Sequence, residues 1–131
     1  VPGKNDSIVF LLDNLSGIEA LTNIALQKGD KVHYIRLSEI SYMEAESNYT
    51  RIFTNDGHWF VHSKTLKYFE DLLSDNNSFF RIAKGFIVNI EQVRSYTKSE
   101  PFILTLQNGV ELEMSRRKKG ELLQRMSEKS C

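Results

Sequence analysis

Apolar residues recur along this chain with two different periods, and the switches between them mark out its elements. From residue 31 the sequence KVHYIRL alternates apolar and polar positions, as the two faces of a half-buried strand do. After a turn near Ser38, EISYMEAES continues in the same manner. NYTRIFT and HWFVHS then flank Asn55-Asp56-Gly57, and Asp-Gly between two such runs predicts a hairpin. In SKTLKYFEDLLSD the period lengthens. Leu66, Phe69, Leu72 and Leu73 share one helical face, with Ser63 available as the N-cap. A strand is predicted over 86–96 from the run Phe86, Ile87, Val88, Ile90 and Val93. FILTLQNGVELEM follows as a second hairpin about Asn108-Gly109, and a short helix from Ser115 to Ser127 turns Leu122, Leu123 and Met126 inward.

Ahead of these strands, SGIEALTNIALQKGD spaces Ile18, Leu21, Ala25 and Leu26 as on one face of a helix, with Ser16 as N-cap and Gly29 as a stop. The chain is therefore divided into a linker or amphipathic-helix segment, 1–30, and a strand-rich domain, 31–131. Strands, helix, strands, helix, with no βαβ rhythm and no repeat, predict a mainly β fold built on antiparallel sheet with one or two short helices. The first residue is Val1 rather than Met, and we expect a piece of a longer or processed protein.

Composition supports one packed domain, since fourteen aromatics and 40% hydrophobic residues suffice for a core at 131 residues. The single cysteine, Cys131, has no partner for an internal disulfide and suits a reducing compartment. The longest purely apolar run, Ile8 to Leu12, falls far short of a bilayer span, and no membrane contact is expected.

Catalytic chemistry finds little support. His58 and His62 are four apart, but on a strand that separation is roughly 13 Å, too far for a shared metal ion. Glu44 and Glu46 lie on one strand face without any signal of a cleft around them. No GxGxxG, P-loop, GxSxG or CxxC is present. The expectation is a non-enzyme without a cofactor or metal.

Charge changes the picture through its placement. The formal net charge is zero, but residues 1–27 hold Lys4 against Asp6, Asp13 and Glu19, which leaves the remainder at a net +2. Residues 81–98 carry Arg81, Lys84, Arg94 and Lys98 against Glu91 alone. Residues 115–129 carry six basic side chains against Glu121 and Glu128. Lys84, Arg51, Arg116 and Arg117 fall at junctions between elements, where a rigid sheet holds loops outward. Such loops can meet phosphates and guanine edges. An acidic protein partner on a β-rich interaction module is the alternative.

The segments EISYMEAESNYTRIFTNDG, TLKYFEDLL, FFRIAKGFIVNIEQV and LQNGVELEMSRRKKGELLQ, in this order and spacing, resemble the LytTR DNA-binding domain over roughly residues 31–127. That family is the output module of many bacterial response regulators of two-component systems. The resemblance implies an elongated antiparallel β fold whose loops, rather than a recognition helix, enter successive major grooves of DNA. Carried over by position, it implies contacts from Asn48, Tyr49, Thr50 and Arg51, from Lys84, and from Ser115, Arg116 and Arg117. Lys118 and Lys119 follow, and a point charge on a flexible stem suits them to phosphates. The resemblance also implies a cytoplasmic transcription regulator, monomeric alone, with two copies loading on repeated half-sites in double-stranded DNA. A receiver domain would normally precede it. The chain departs from the family at Ala83, where histidine is common, and at Gly85, where a serine often stands after a polar or basic residue.

Overall fold

The computed structural model describes residues 22–129, with side chains to residue 127. Among the described residues ten strands form three antiparallel sheets. Strands β1 (Asn23–Lys28) and β2 (Lys31–Arg36) make a hairpin. The central sheet has the order β5-β4-β3-β7-β6, from β3 (Ile40–Glu46), β4 (Tyr49–Thr54), β5 (Trp59–His62), β6 (Phe79–Ala83) and β7 (Phe86–Asn89). The third sheet is β10-β9-β8, from β8 (Val93–Tyr96), β9 (Ile103–Leu106) and β10 (Glu111–Glu113). Helices α1 (Leu66–Leu72) and α2 (Lys119–Lys129) complete the mainly β fold anticipated from the sequence.

Both faces of the central sheet carry a buried cluster, with Trp59 and Val61 of β5 left exposed, and its cross-strand rows show which residue serves which face. Phe60, Ile52, Met43 and Ile87 lie opposite one another across β5, β4, β3 and β7, and all belong to one apolar cluster. Ile24 and Leu26 of β1, with Leu66 and Phe69 of α1, close that cluster. The neighbouring row of Phe53, Tyr42, Val88 and Phe80 faces the other way. It packs with Leu104 and Leu106 of β9 and Leu122 of α2. Burial on both faces explains why β3 opens with four consecutive buried residues instead of alternating. Val88 and Leu104 are fully buried, and Phe86 of the same strand run is half-buried.

The structure revises four expectations. Residues 23–28 form a strand, not the C-terminal half of a helix; the part of that helix over 16–21 lies outside the described residues. Ile24, Ala25 and Leu26 are all buried there, so no alternation advertised the strand, and full pairing with β2 overrode the helix-forming composition. The single strand expected over 86–96 is two strands on different sheets. Asn89 accepts a hydrogen bond from the Glu91 amide at 3.1 Å and caps a 3-10 turn, Ile90–Gln92, that carries the chain across. The cap of α1 is Thr65, whose Oγ1 accepts from the Tyr68 amide at 3.3 Å, rather than Ser63. Arg117 sits in a 3-10 turn, Arg116–Lys118, ahead of α2 rather than in its first turn. Both glycine hairpins are present, with Gly57 at φ 92 and Gly109 at φ 91, the left-handed region their turns require.

Candidate nucleic-acid interface

Strand β3 runs antiparallel to both β4 and β7, so the β3–β4 turn (Ser47–Asn48) and the β6–β7 turn (Lys84–Gly85) leave the central sheet at the same end. The Ala45 amide donates to the Gly85 carbonyl at 2.9 Å and ties the two turns together. Their centres are two strand spacings apart, about 10 Å. The chain after β10 returns to this end too, since the Ser115 amide donates to the Ile82 carbonyl of the edge strand β6 at 2.8 Å. Three of the segments singled out in the sequence therefore share one end of the sheet, with Lys84 in the middle.

In the first turn Ser47 holds a left-handed φ of 53 without a glycine, and Asn48 and Tyr49 are exposed. Thr50 corrects the sequence reading. It is fully buried, and its hydroxyl donates to the Lys64 carbonyl at 2.8 Å, so it faces the interior and not a partner. Alternation along β4 places Arg51 on the opposite face, half-exposed, 2.5 Å from the Glu46 carboxylate and 5.5 Å from the Trp59 ring. Trp59 and its Arg51 contact went unremarked in the sequence, where Trp59 was one aromatic of an ordinary strand.

In the middle turn Lys84 is exposed and has no polar partner among the described residues. Ile87 and Val88 anchor the turn from the two cores. Arg81, which the sequence offered only as one more positive charge, reaches toward this turn. Its guanidinium donates to Glu70 Oε1 of α1 at 2.9 Å and to the Lys84 carbonyl at 2.6 Å.

In the third segment Arg117 is exposed and without a polar partner among the described residues, while Arg116 is ion-paired with Glu100. Lys118 lies 5.6 Å from the Phe80 ring. Lys119 is engaged elsewhere: its Nζ donates to the Lys98 carbonyl at 2.8 Å and sits 4.2 Å from the Phe102 ring. Lys84, Ser115, Arg117 and Lys118 line a concavity of about 320 Å³ together with the Arg81–Glu70 pair. The one carboxylate there is already matched by Arg81, which leaves three cations for an anionic partner.

The histidines do not line this concavity: His33 and His58 lie toward the opposite end of the central sheet, and His62 pairs with Thr50 near the candidate end. His58 lies in the β4–β5 turn, 3.1 Å from Asp56, and His62 on β5 accepts the Lys64 amide at 3.1 Å. Hydrogen bonds from the Thr54 hydroxyl and the His58 amide hold the Asp56 carboxyl below the usual aspartate range. No group of three or more potential metal ligands occurs among the described residues. A larger concavity, about 480 Å³, lies at this opposite end between the β1–β2 hairpin and the β4–β5 turn.

No curated protein is matched in sequence. Among solved structures, the chain is similar to the LytTr DNA-binding domain of a methyl-accepting/DNA response regulator from Bacillus cereus. The two share 23% identity at a TM-score of 0.70, over 80% of this chain and 96% of that one. At that identity the likeness speaks for the fold. Residues 30–127 match the LytTr DNA-binding domain family itself. With three-quarters of its length inside that match, this chain belongs to the LytTr DNA-binding domain family, whose role is to bind DNA rather than to catalyse a reaction.

Proposed function

We propose that this domain reads DNA in a sequence-specific way as the output module of a bacterial response regulator in the cytoplasm, through the end of the central sheet that carries Lys84 and Arg117. The observation that carries this reading is the pairing state of the cations: Arg117, Lys84 and Lys118 share one concavity with no uncancelled carboxylate. The guanidinium of Arg117 suits a bidentate contact to a guanine edge in the major groove, and Lys84 and Lys118 suit phosphates as point charges. Asn48, Tyr49 and Arg51 stand on the other side of Lys84 and supply a second contact zone. Thr50 drops out, and Lys119 acts through packing. Arg116 and Ser115 support the Arg117 turn, Arg116 from its ion pair and Ser115 through its bond to β6.

Two copies load on half-sites about one helical turn apart, or a multiple of it, and a shift of about five base pairs abolishes their cooperation. The test is selection of bound duplexes from a random pool, followed by titration of the enriched site at several salt concentrations. A recurrent motif, relaxed at one or two base pairs in Arg117→Ala, is the expected result. Enrichment of no sequence above background would leave a basic module for an acidic partner instead.

A further inference from the structure

Arg81 cannot serve as a DNA ligand in the way its neighbours can. Its side chain is 21% exposed, and both arms of the guanidinium are occupied. One arm meets Glu70 on α1, and the other meets the backbone carbonyl of Lys84. Glu70 stands on a helix whose neighbours Leu66 and Phe69 are buried in the first core. Between Arg81 and Ala83 the β6–β7 register shifts by a bulge, so ladder pairing alone holds the start of the turn loosely. We infer that Arg81 and Glu70 form a brace that fixes the Lys84–Gly85 turn against α1, making Arg81 a positioning residue for the Lys84 contact. The inference rests on the DNA-contact reading of Lys84 given above. A planar fork suits this task because it holds two acceptors in fixed directions, which an ammonium on a flexible stem does not.

The brace makes a prediction opposite in sign to simple electrostatics. Glu70 lines the basic concavity, so removing its charge should strengthen DNA binding if charge alone matters. If the brace matters, Glu70→Ala and Arg81→Lys both weaken binding to the selected duplex, by up to about tenfold, the scale of one lost contact of ~1.4 kcal/mol. In a Lys84→Ala background neither substitution costs further affinity, because the contact they position is already gone. Arg117→Ala should instead add fully to each. Amide hydrogen exchange at Ala45, whose amide donates to the Gly85 carbonyl, measured without DNA, reads the brace independently. Faster exchange at this amide, with the thermal transition and the exchange of β9 unchanged, is the expected result. Unaltered exchange overturns the brace whatever the DNA data. Faster exchange with undiminished affinity in Glu70→Ala overturns the positioning role, and a Lys84→Ala protein that binds as the parent does overturns the contact itself.

Discussion

Thr50 separates an interior role from an interface role, because the resemblance implies a contact there and the structure turns the side chain inward. Its hydroxyl donates to the Lys64 carbonyl at 2.8 Å from a site with no exposed surface. Thr50→Val keeps the branched shape and removes only that donor. A typical net hydrogen bond contributes about 0.5–1.5 kcal/mol, and an acceptor left dry costs about 1–3 kcal/mol. Lys64 follows the end of β5 and is an exposed residue, and its bond to Thr50 is only part-buried, so the lower part of that range applies, about 1 kcal/mol. Thr50→Ser keeps the hydroxyl and loses one methyl, again about 1 kcal/mol with part of the cavity cost. Thr50→Ala loses both and should fall by about 2 kcal/mol, the sum of the two. Urea unfolding of the three variants measures this, with an unchanged slope required for the comparison. DNA affinity, referred to folded protein, should match the parent in all three. A Val variant of undiminished stability that loses affinity by tenfold would refute the interior assignment and return Thr50 to the interface.

Other expectations follow from the same contacts. Arg117→Ala should cost roughly 1–3 kcal/mol on the selected site and relax preference at one or two base pairs, as titration of single-base variants will read. Lys118→Ala should weaken all duplexes about equally and lower the salt slope by about 0.9, whereas Lys119→Ala should lower the melting temperature more than the affinity. Asn89 is buried, with its amide donating to the Ile40 carbonyl at 2.9 Å while its oxygen accepts from Glu91. Asn89→Ala should therefore destabilise by about 2–4 kcal/mol in urea unfolding, two bonds and a stranded carbonyl together. Asp56→Asn tests a pH effect. A depressed folded-state pKa contributes stability that is present above the unfolded aspartate value, about 3.9, and disappears as the pH falls through the folded value. The parent should exceed the Asn variant in stability at neutral pH, and the gap should close in acid. A gap that is constant with pH would contradict the attribution to Asp56.

What the sequence made legible is what local chemistry decides. Gly57 and Gly109 marked their hairpins because left-handed turn positions favour glycine. The Ser47–Asn48 turn lacks that signature and showed only as a polar interruption, since Ser47 adopts its positive φ under the constraint of the β3–β4 ladder. Elements decided by tertiary pairing were misread. The β1 sequence NIALQK is composed of residues that suit a helix, and it is a strand because β2 supplies its hydrogen bonds and the first core takes its side chains. The break at Asn89 was hidden by the apolar residues on both sides of it, because Ile87 is buried in the first core and Val88 and Ile90 in the second. Among candidate contacts, sequence position singled out Lys84 and Arg117, which are exposed and without a polar partner among the described residues. It could not assign Thr50 inward, nor Lys119 to Phe102, because both follow from which face of a strand or turn meets its neighbour. Arg81 was indistinguishable from a contact residue until its two acceptors were located.

The contacts at this end of the sheet differ in how readily they can be exchanged for a phosphate, and that difference orders their roles. The Arg51–Glu46 pair is roughly 40% exposed on both sides, and an exposed ion pair of this kind is worth about 0–1 kcal/mol. A phosphate arriving beside Arg51 therefore displaces little, and the Trp59 ring behind the guanidinium keeps it oriented while the partner changes. The Arg81 fork is less exposed and divided between two acceptors, so releasing it would strand the Lys84 carbonyl and the Glu70 carboxylate together. On the proposed DNA reading Arg51, like the still more exposed Arg116 with Glu100, can thus move from an internal partner to a phosphate at small cost, and Arg81 is the cation that stays. Arg117 needs no exchange at all. The two-sided burial of the central sheet is what lets these distinctions persist, since turns anchored in both cores keep each cation at its own place when the others are engaged.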